Sequence, residues 1–172
     1  MRLTPRAKLA LLASLFALPI VASVLAYVFF PPAPTANYGE LLLPPAPAPT
    51  ELIAMRERWI LVTWDRTPCE GPCIAKLTAM RQVRLALGRN AARVDRVLML
   101  GGAQGRPPPP EGFDGMLVIG AAGAPHGGLV GDPAHIYLAD PNGNVMMRWP
   151  AQPEMKRMLK DLERLLKASQ IG

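Results

Sequence analysis

A long apolar run near the N-terminus constrains this chain most. From Leu9 to Phe30 there are 22 residues without a charged side chain, interrupted only by Pro19. A helix needs about 20 apolar residues to cross the hydrocarbon core of a bilayer. The run exceeds the ~7–15 apolar residues of a signal peptide, and it ends in aromatic residues followed by two prolines instead of a small-residue cleavage site. We therefore predict an uncleaved transmembrane helix over residues 9–30.

Basic side chains on one flank of this run set its orientation. Arg2, Arg6 and Lys8 lie within residues 1–8, the predicted cytoplasmic N-terminus. Positive charge marks the cytoplasmic side of a single span, so everything after Phe30 lies across the membrane. In a bacterium this predicts a single-pass protein of the inner membrane with its C-terminal domain in the periplasm. Thiols in that compartment can be oxidised, reduced or bound to metal.

Charge and cysteine content exclude several classes of protein. The net charge is +6, but three basic residues precede the apolar run, which leaves 16 Lys+Arg against 13 Asp+Glu for the remainder. That balance is typical of a solvated surface, and without a Lys/Arg run we expect no nucleic-acid binding. Two cysteines are too few for a multi-disulfide framework or a four-cysteine zinc site.

The segment after the apolar run is rich in proline and alanine. Residues 31–36 and 44–49 have this composition, which favours an extended and stiff chain. We predict a linker over residues 31–50 with a short edge strand between its two proline clusters. The remaining residues, 51–172, are expected to form one domain.

Apolar periodicity in that domain predicts alternating strands and helices. The run Trp59–Trp64 is apolar on both faces, as in a central strand of a covered sheet. A helix is predicted from the cysteines to Gly88 and another from Pro153 to about Ser169. The segment 101–131 has little helix signal. Further strands are predicted at 94–100, 116–119, 136–139 and 145–149. This order predicts an α/β fold, a mixed sheet flanked by helices.

The two cysteines lie four residues apart, between the first strand and the first helix of the domain. Backbone N–H groups at a helix N-terminus favour a thiolate. Cys69, just outside the helix, is then the expected nucleophile. Cys73, one turn further, can resolve a mixed disulfide or supply a second sulfur to a metal. A plain stabilising disulfide is the alternative, but so short a loop removes little unfolded-state entropy, which favours a redox or metal role.

With these elements the chain resembles the Sco/SenC branch of the thioredoxin-like superfamily. These membrane-anchored proteins help to assemble the copper centre of cytochrome c oxidase. The resemblance rests on the anchor, the strand, the C-x-x-x-C motif that opens a helix, and the late strand and turn at Ile136–Gly143. It implies a thioredoxin-like fold and copper bound by Cys69, Cys73 and a histidine just before the late strand. The implied partner is a cytochrome c oxidase subunit or another periplasmic thiol protein.

The histidine of that implied copper site does not align. The family's ligand position falls near Asp132, whereas the histidines of this chain are His126 and His135. Either can supply an imidazole to a site with two thiolates, a donor set that suits copper. The alternative is that His135 is a strand residue with a satisfied side chain and that His126 is solvated.

Three functions therefore stay open. The first is copper-centre assembly, by thiol reduction or by Cu(I) transfer. The second is a general periplasmic thiol–disulfide oxidoreductase, because Gly71-Pro72-Cys73 resembles the thioredoxin active site and Pro133 stands where such reductants carry a cis-proline. The third is a non-catalytic tethered interaction module in which the cysteines only form a bridge.

Overall fold

The N-terminal unit contains one long helix. The computed structural model describes residues 4–29, 37–55, 57–121 and 132–169, and the chain divides into two compact units after Ala36. Helix α1, Pro5–Phe29, has 25 residues and is the one helix in these ranges that is long and apolar enough to cross a membrane. At about 1.5 Å per residue it exceeds the thickness of a hydrocarbon core. It begins four residues before the predicted span.

The second unit is built around a six-stranded mixed sheet. Its strand order is β1-β6-β5-β2-β3-β4, in which β2, β3 and β4 are parallel and the pairs β2–β5, β5–β6 and β1–β6 are antiparallel. The elements are β1 Glu40–Pro47, α2 Thr50–Ile53, β2 Trp59–Arg66, α3 Pro72–Ala86, a 3₁₀ helix Gly88–Arg93, β3 Val94–Gly101, β4 Leu117–Ala121, β5 His135–Ala139, β6 Asn144–Pro150 and α4 Met155–Ala168. The predicted α/β fold, a mixed sheet flanked by helices, is confirmed.

Apolar side chains cover both faces of the sheet. Leu61 and Leu138 belong to the cluster that packs against α3 and α4. Val62 and Tyr137 point to the opposite face, where they pack with Leu52 of α2. Because successive side chains alternate between the faces, the central strand β2 is buried from Trp59 to Trp64. The central strand predicted at Trp59–Trp64 is therefore present as part of β2.

The predicted linker and the sheet overlap. The short strand expected within residues 31–50 is present as β1, but it extends into the second proline cluster as far as Pro47 and pairs with β6. Proline lacks the N–H that a central strand needs, yet an edge strand tolerates it. Residues 37–50 lie in the second compact unit, and Ala48 is buried in its core. The first proline cluster, 31–36, lies outside the described residues.

Two further boundaries differ from the predicted ones. Helix α4 begins at Met155, with Glu154 as its N-cap, so Pro153 precedes the helix and does not open it. A 3₁₀ helix begins at Gly88, where the sequence indicated only a stop. The connection 102–116 between the parallel strands β3 and β4 contains no helix, in line with its weak helix signal.

Candidate functional site

The cysteines form a disulfide where β2 leads into α3. Cys69 and Cys73 are bonded, with their Cα atoms 5.3 Å apart. After β2 ends at Arg66, the Thr67 N–H donates to the Gly101 carbonyl at 3.0 Å, which holds the loop against the end of β3. Cys73 is the second residue of α3. The site thus lies at the carboxyl end of the central parallel strands.

Local backbone chemistry fixes the start of α3 beside Cys69. The N-cap is Gly71, with φ +45°, a conformation that residues with a Cβ rarely adopt. Pro72 then occupies the first helical position, where its missing N–H costs nothing. The Cys73 N–H donates to the Glu70 carbonyl and the Ala75 N–H to the Gly71 carbonyl, each at 3.0 Å. The turn therefore keeps the two cysteines together.

The two cysteines differ in exposure. Cys73 is 1% exposed and packs in the apolar cluster beneath α3, whereas Cys69 is half-buried at its border. Glu70, between them, is exposed. An incoming thiol or disulfide can therefore reach Cys69 more readily than Cys73. The roles of Cys69 as nucleophile and of Cys73 as resolving cysteine stay predictions.

A buried lysine that the sequence did not indicate lies in α3, one turn after Cys73. Lys76 is 0% exposed, and its Nζ donates to the carbonyls of Trp64, at 2.8 Å, and of Pro133. The same Nζ lies 3.0 Å from Oδ2 of Asp65. The sequence feature that could have indicated its burial is helical spacing. Lys76 follows Cys73 by three residues and lies among the buried positions of α3.

His135 lies on a different face of the sheet from Cys73. Its ring neighbours that of Tyr137, with centroids 6.0 Å apart, whereas Ile136 points to the face on which Cys73 packs. Nδ1 of His135 lies 3.0 Å from Oδ2 of Asp132. No group of three or more His, Cys, Asp or Glu suited to a metal occurs among the described residues. The structure thus does not bring His135 together with the cysteines.

The turn before β5 is organised by Asp132. The Ala134 N–H donates to Oδ1 of Asp132 at 2.9 Å, and this bond, together with the neighbouring His135, holds the pKa of Asp132 below its ordinary value of 3.8. Cis peptide bonds in the described part of the chain precede Pro44 and Pro68, and the bond before Pro133 is not among them. His126, the other predicted ligand, lies outside the described residues.

Solved structures similar to this chain include Sco proteins. Apo Sco1 from Thermus thermophilus has a TM-score of 0.52 and 17% identity, over 77% of this chain and 99% of that one. A SCO1/SenC family lipoprotein from Bacillus anthracis gives 0.48 and 13%, over 78% and 98%. Bradyrhizobium japonicum ScoI, solved with copper bound, gives 0.46 and 14%, over 73% and 98%. At these identities the likeness to Sco1 supports the predicted thioredoxin-like fold and nothing finer.

Sequence comparison gives the family. No curated protein matches the chain. A family model described as "Transmembrane-like, thioredoxin-like, C-terminal domain" matches residues 59–169, which run from the first residue of β2 to just past the end of α4. This stretch is more than half of the chain and contains the disulfide. The chain therefore belongs to the transmembrane-like, thioredoxin-like family.

Proposed function

We propose that this protein is a membrane-tethered thiol–disulfide reductant that prepares the cysteines of the copper centre in cytochrome c oxidase. The observation that carries the proposal is the Cys69–Cys73 disulfide at the start of α3, with one cysteine half-buried and the other buried. The choice of target is supported by the resemblance of the sequence to Sco/SenC proteins.

The reaction needs only these two sulfurs. In the reduced protein the Cys69 thiolate attacks a disulfide of the target, forms a mixed disulfide and releases one target thiolate. The Cys73 thiolate then attacks the Cys69 sulfur, which restores the Cys69–Cys73 bond and releases the second target thiolate. A separate dithiol reductant has to return the pair to the reduced state, and its own two thiols are oxidised to a disulfide.

Transfer of Cu(I) as cargo is the second candidate for the same site. Two thiolates form a soft donor set that suits Cu(I). The described residues provide these two sulfurs, but His135 lies on the other face of the sheet. Copper transfer would therefore depend on the thiolates alone or on His126. Thiol reduction ranks first because the two cysteines form a disulfide, the product of that reaction.

Anchoring supports a target in the same membrane. Helix α1 and the basic residues Arg6 and Lys8 near its start support a single span with the domain in the periplasm of a bacterium. A membrane-impermeant maleimide added to intact spheroplasts, after mild reduction, should label Cys69. Labelling only after the cells are lysed would contradict this orientation.

A trapping experiment tests the reductase. The full chain in detergent carries Cys73→Ser and is mixed with the oxidised copper-site domain of the oxidase. A mixed disulfide through Cys69 should accumulate, because the second attack is blocked, and Cys69→Ser should give none. Equal trapping by unrelated oxidised proteins would favour the general oxidoreductase, and the absence of any adduct would exclude both.

A copper titration separates the two candidates. The reduced full chain is titrated with Cu(I) against a competing chelator, next to Cys69→Ser, His126→Ala and His135→Ala. We expect His135→Ala to bind like the wild type, since His135 lies away from the cysteines. Tight binding that is lost in His126→Ala would favour the copper-transfer function over thiol reduction alone.

A further inference from the structure

Lys76 stands out because lysine is seldom fully buried unless it is paired. Its side chain is 0% exposed and lies among the buried positions of α3, beside Leu77 and Met80. Removing an ammonium from water is costly, so a buried lysine needs compensating partners. Neither the sequence pattern nor the reaction proposed above assigns a role to it.

The contacts of Lys76 saturate its ammonium group. An ammonium has three N–H donors, and Nζ has three oxygen partners: the Trp64 carbonyl at 2.8 Å, Oδ2 of Asp65 at 3.0 Å and the Pro133 carbonyl. Trp64 and Asp65 lie near the end of β2, and Pro133 lies just before β5. The side chain therefore ties α3 to the two segments that flank it at this end of the sheet.

This arrangement places a buried positive charge one helical turn after Cys73. Lys76 and Cys73 are three residues apart and share a helix face, and long helical side chains lean toward the N-terminus of their helix. Nζ accordingly reaches back to the strand end that leads into Cys69. Asp65, the ion-pair partner of Lys76, lies four residues before Cys69. A short stretch of chain therefore connects this ion pair to the cysteine loop.

The charges of this ion pair are unequally shielded. The Lys76 side chain is 0% exposed, whereas that of Asp65 is 24% exposed. Solvent screens the carboxylate more strongly than the buried ammonium, because interactions in the interior have a lower effective dielectric. The ammonium is therefore the less screened charge of the pair.

We propose that Lys76 is a positioning residue of the disulfide site, whose fixed positive charge favours the reduced form of Cys69–Cys73. On reduction, the pair accepts two electrons and one proton from a dithiol and becomes one thiol and one thiolate. The donor becomes a disulfide, and its second proton goes to solvent. Negative charge thus appears on sulfur only in the reduced form, which the ammonium stabilises. This inference rests on the proposed thiol–disulfide function.

The test is the redox equilibrium of the full chain in detergent at fixed neutral pH. Samples equilibrate with reduced and oxidised glutathione, and the reduced fraction is counted by thiol alkylation and mass. Lys76→Met should be about tenfold harder to reduce, equal to about 30 mV. Asp65→Asn should shift the equilibrium in the opposite direction, because it removes the opposing charge.

Two more variants complete the experiment. Lys76→Arg keeps the charge and should stay within about twofold of the wild type. Lys160→Met removes an exposed lysine from α4 and should change nothing. If Lys76→Met fails to fold, Asp65→Asn and Lys76→Arg still test the inference. Asp65 is partly exposed, so its replacement should leave the domain folded.

Shifts of the redox equilibrium in the same direction for Lys76→Met and Asp65→Asn would overturn the inference. If the ion pair were only a structural tie, both variants would break it and shift the equilibrium the same way. Unchanged potentials would overturn it as well. Neither result depends on an oxidase target. The inference can therefore fail while the trapping experiment succeeds, and the reverse holds too.

Discussion

Asp161 is a buried carboxylate that fastens the beginning of the domain to its last helix. It is 3% exposed and accepts three hydrogen bonds. The donors are the Tyr38 N–H at 3.1 Å, the Gly39 N–H at 2.7 Å and Nε1 of Trp149 at 3.1 Å. Two of these donors belong to the segment that enters β1. A single side chain of α4 thus fixes where the chain joins the edge of the sheet.

Replacement of Asp161 by alanine should destabilise the domain strongly. Three N–H groups lose their acceptor, and each buried donor left unsatisfied costs about 1–3 kcal/mol. We expect the free energy of unfolding to fall by about 3 kcal/mol. Urea unfolding of the full chain in detergent, followed by tryptophan fluorescence, measures this, because all three tryptophans lie after residue 58.

The matched control is Glu163→Ala, which removes an exposed carboxylate from the same helix. Its effect should stay within about 0.5 kcal/mol, as is usual for surface substitutions. Equal losses for the two variants would mean that the three hydrogen bonds of Asp161 contribute nothing specific.

Asp132 makes the stability of the fold depend on pH in the acid range. Its pKa is lowered in the folded state by the Ala134 N–H and by His135, so the carboxylate stabilises the fold above its unfolded pKa, near 3.8. That contribution is lost as the pH falls through the lower folded pKa. Asp132→Asn should be less stable than the wild type at pH 7, and the difference should shrink at pH 3. Urea unfolding at both pH values measures it, and a difference independent of pH would contradict the charge explanation.

Elements with strong apolar periodicity could be predicted from the sequence, and those that depend on distant partners could not. Strand β2 and helix α3 repeat their patterns over enough residues to identify them. The proline-containing part of β1 needs β6, about a hundred residues later, to become a strand. Within the site, the cysteine pair was visible in the sequence. Lys76 was not, because its partner Pro133 lies 57 residues away.

Gly39 shows how closely β6 and the segment before β1 pack. A Cβ at this position would lie 2.5 Å from Nε1 of Trp149 and 2.8 Å from Sδ of Met147. Gly39→Ala should therefore destabilise the domain by about 1–3 kcal/mol, the usual cost of overpacking. The same fluorescence-detected unfolding measures the loss.

Leu43→Ala is the comparison variant for this position, because Leu43 is 82% exposed in β1. It should change the free energy of unfolding by about 0.5 kcal/mol or less. A stable Gly39→Ala variant would show that β1 can shift away from Trp149 without loss.

At the scale of the molecule, the domain does not depend on its disulfide for a core. One apolar cluster lies between the sheet and the helices α3 and α4, and a second covers the opposite face with α2. Cys73 contributes to the first cluster by packing, which a reduced thiol also does. The position of the disulfide, at one end of the central strands, leaves the rest of both clusters intact. Opening of the bond would therefore leave both clusters in place.

Reduction should accordingly leave the domain folded. The disulfide joins residues separated by only four positions, and a loop that short contributes about 2 kcal/mol or less to stability. Urea unfolding of the full chain in detergent, with and without a phosphine reductant, should give two cooperative transitions that differ by no more than this. The double variant Cys69→Ser, Cys73→Ala removes the thiols and should resemble the reduced protein. Loss of cooperative unfolding on reduction would instead assign the cysteines to a structural bridge, and the tethered module would replace the reductant, because a bond needed for folding cannot open in each reaction cycle.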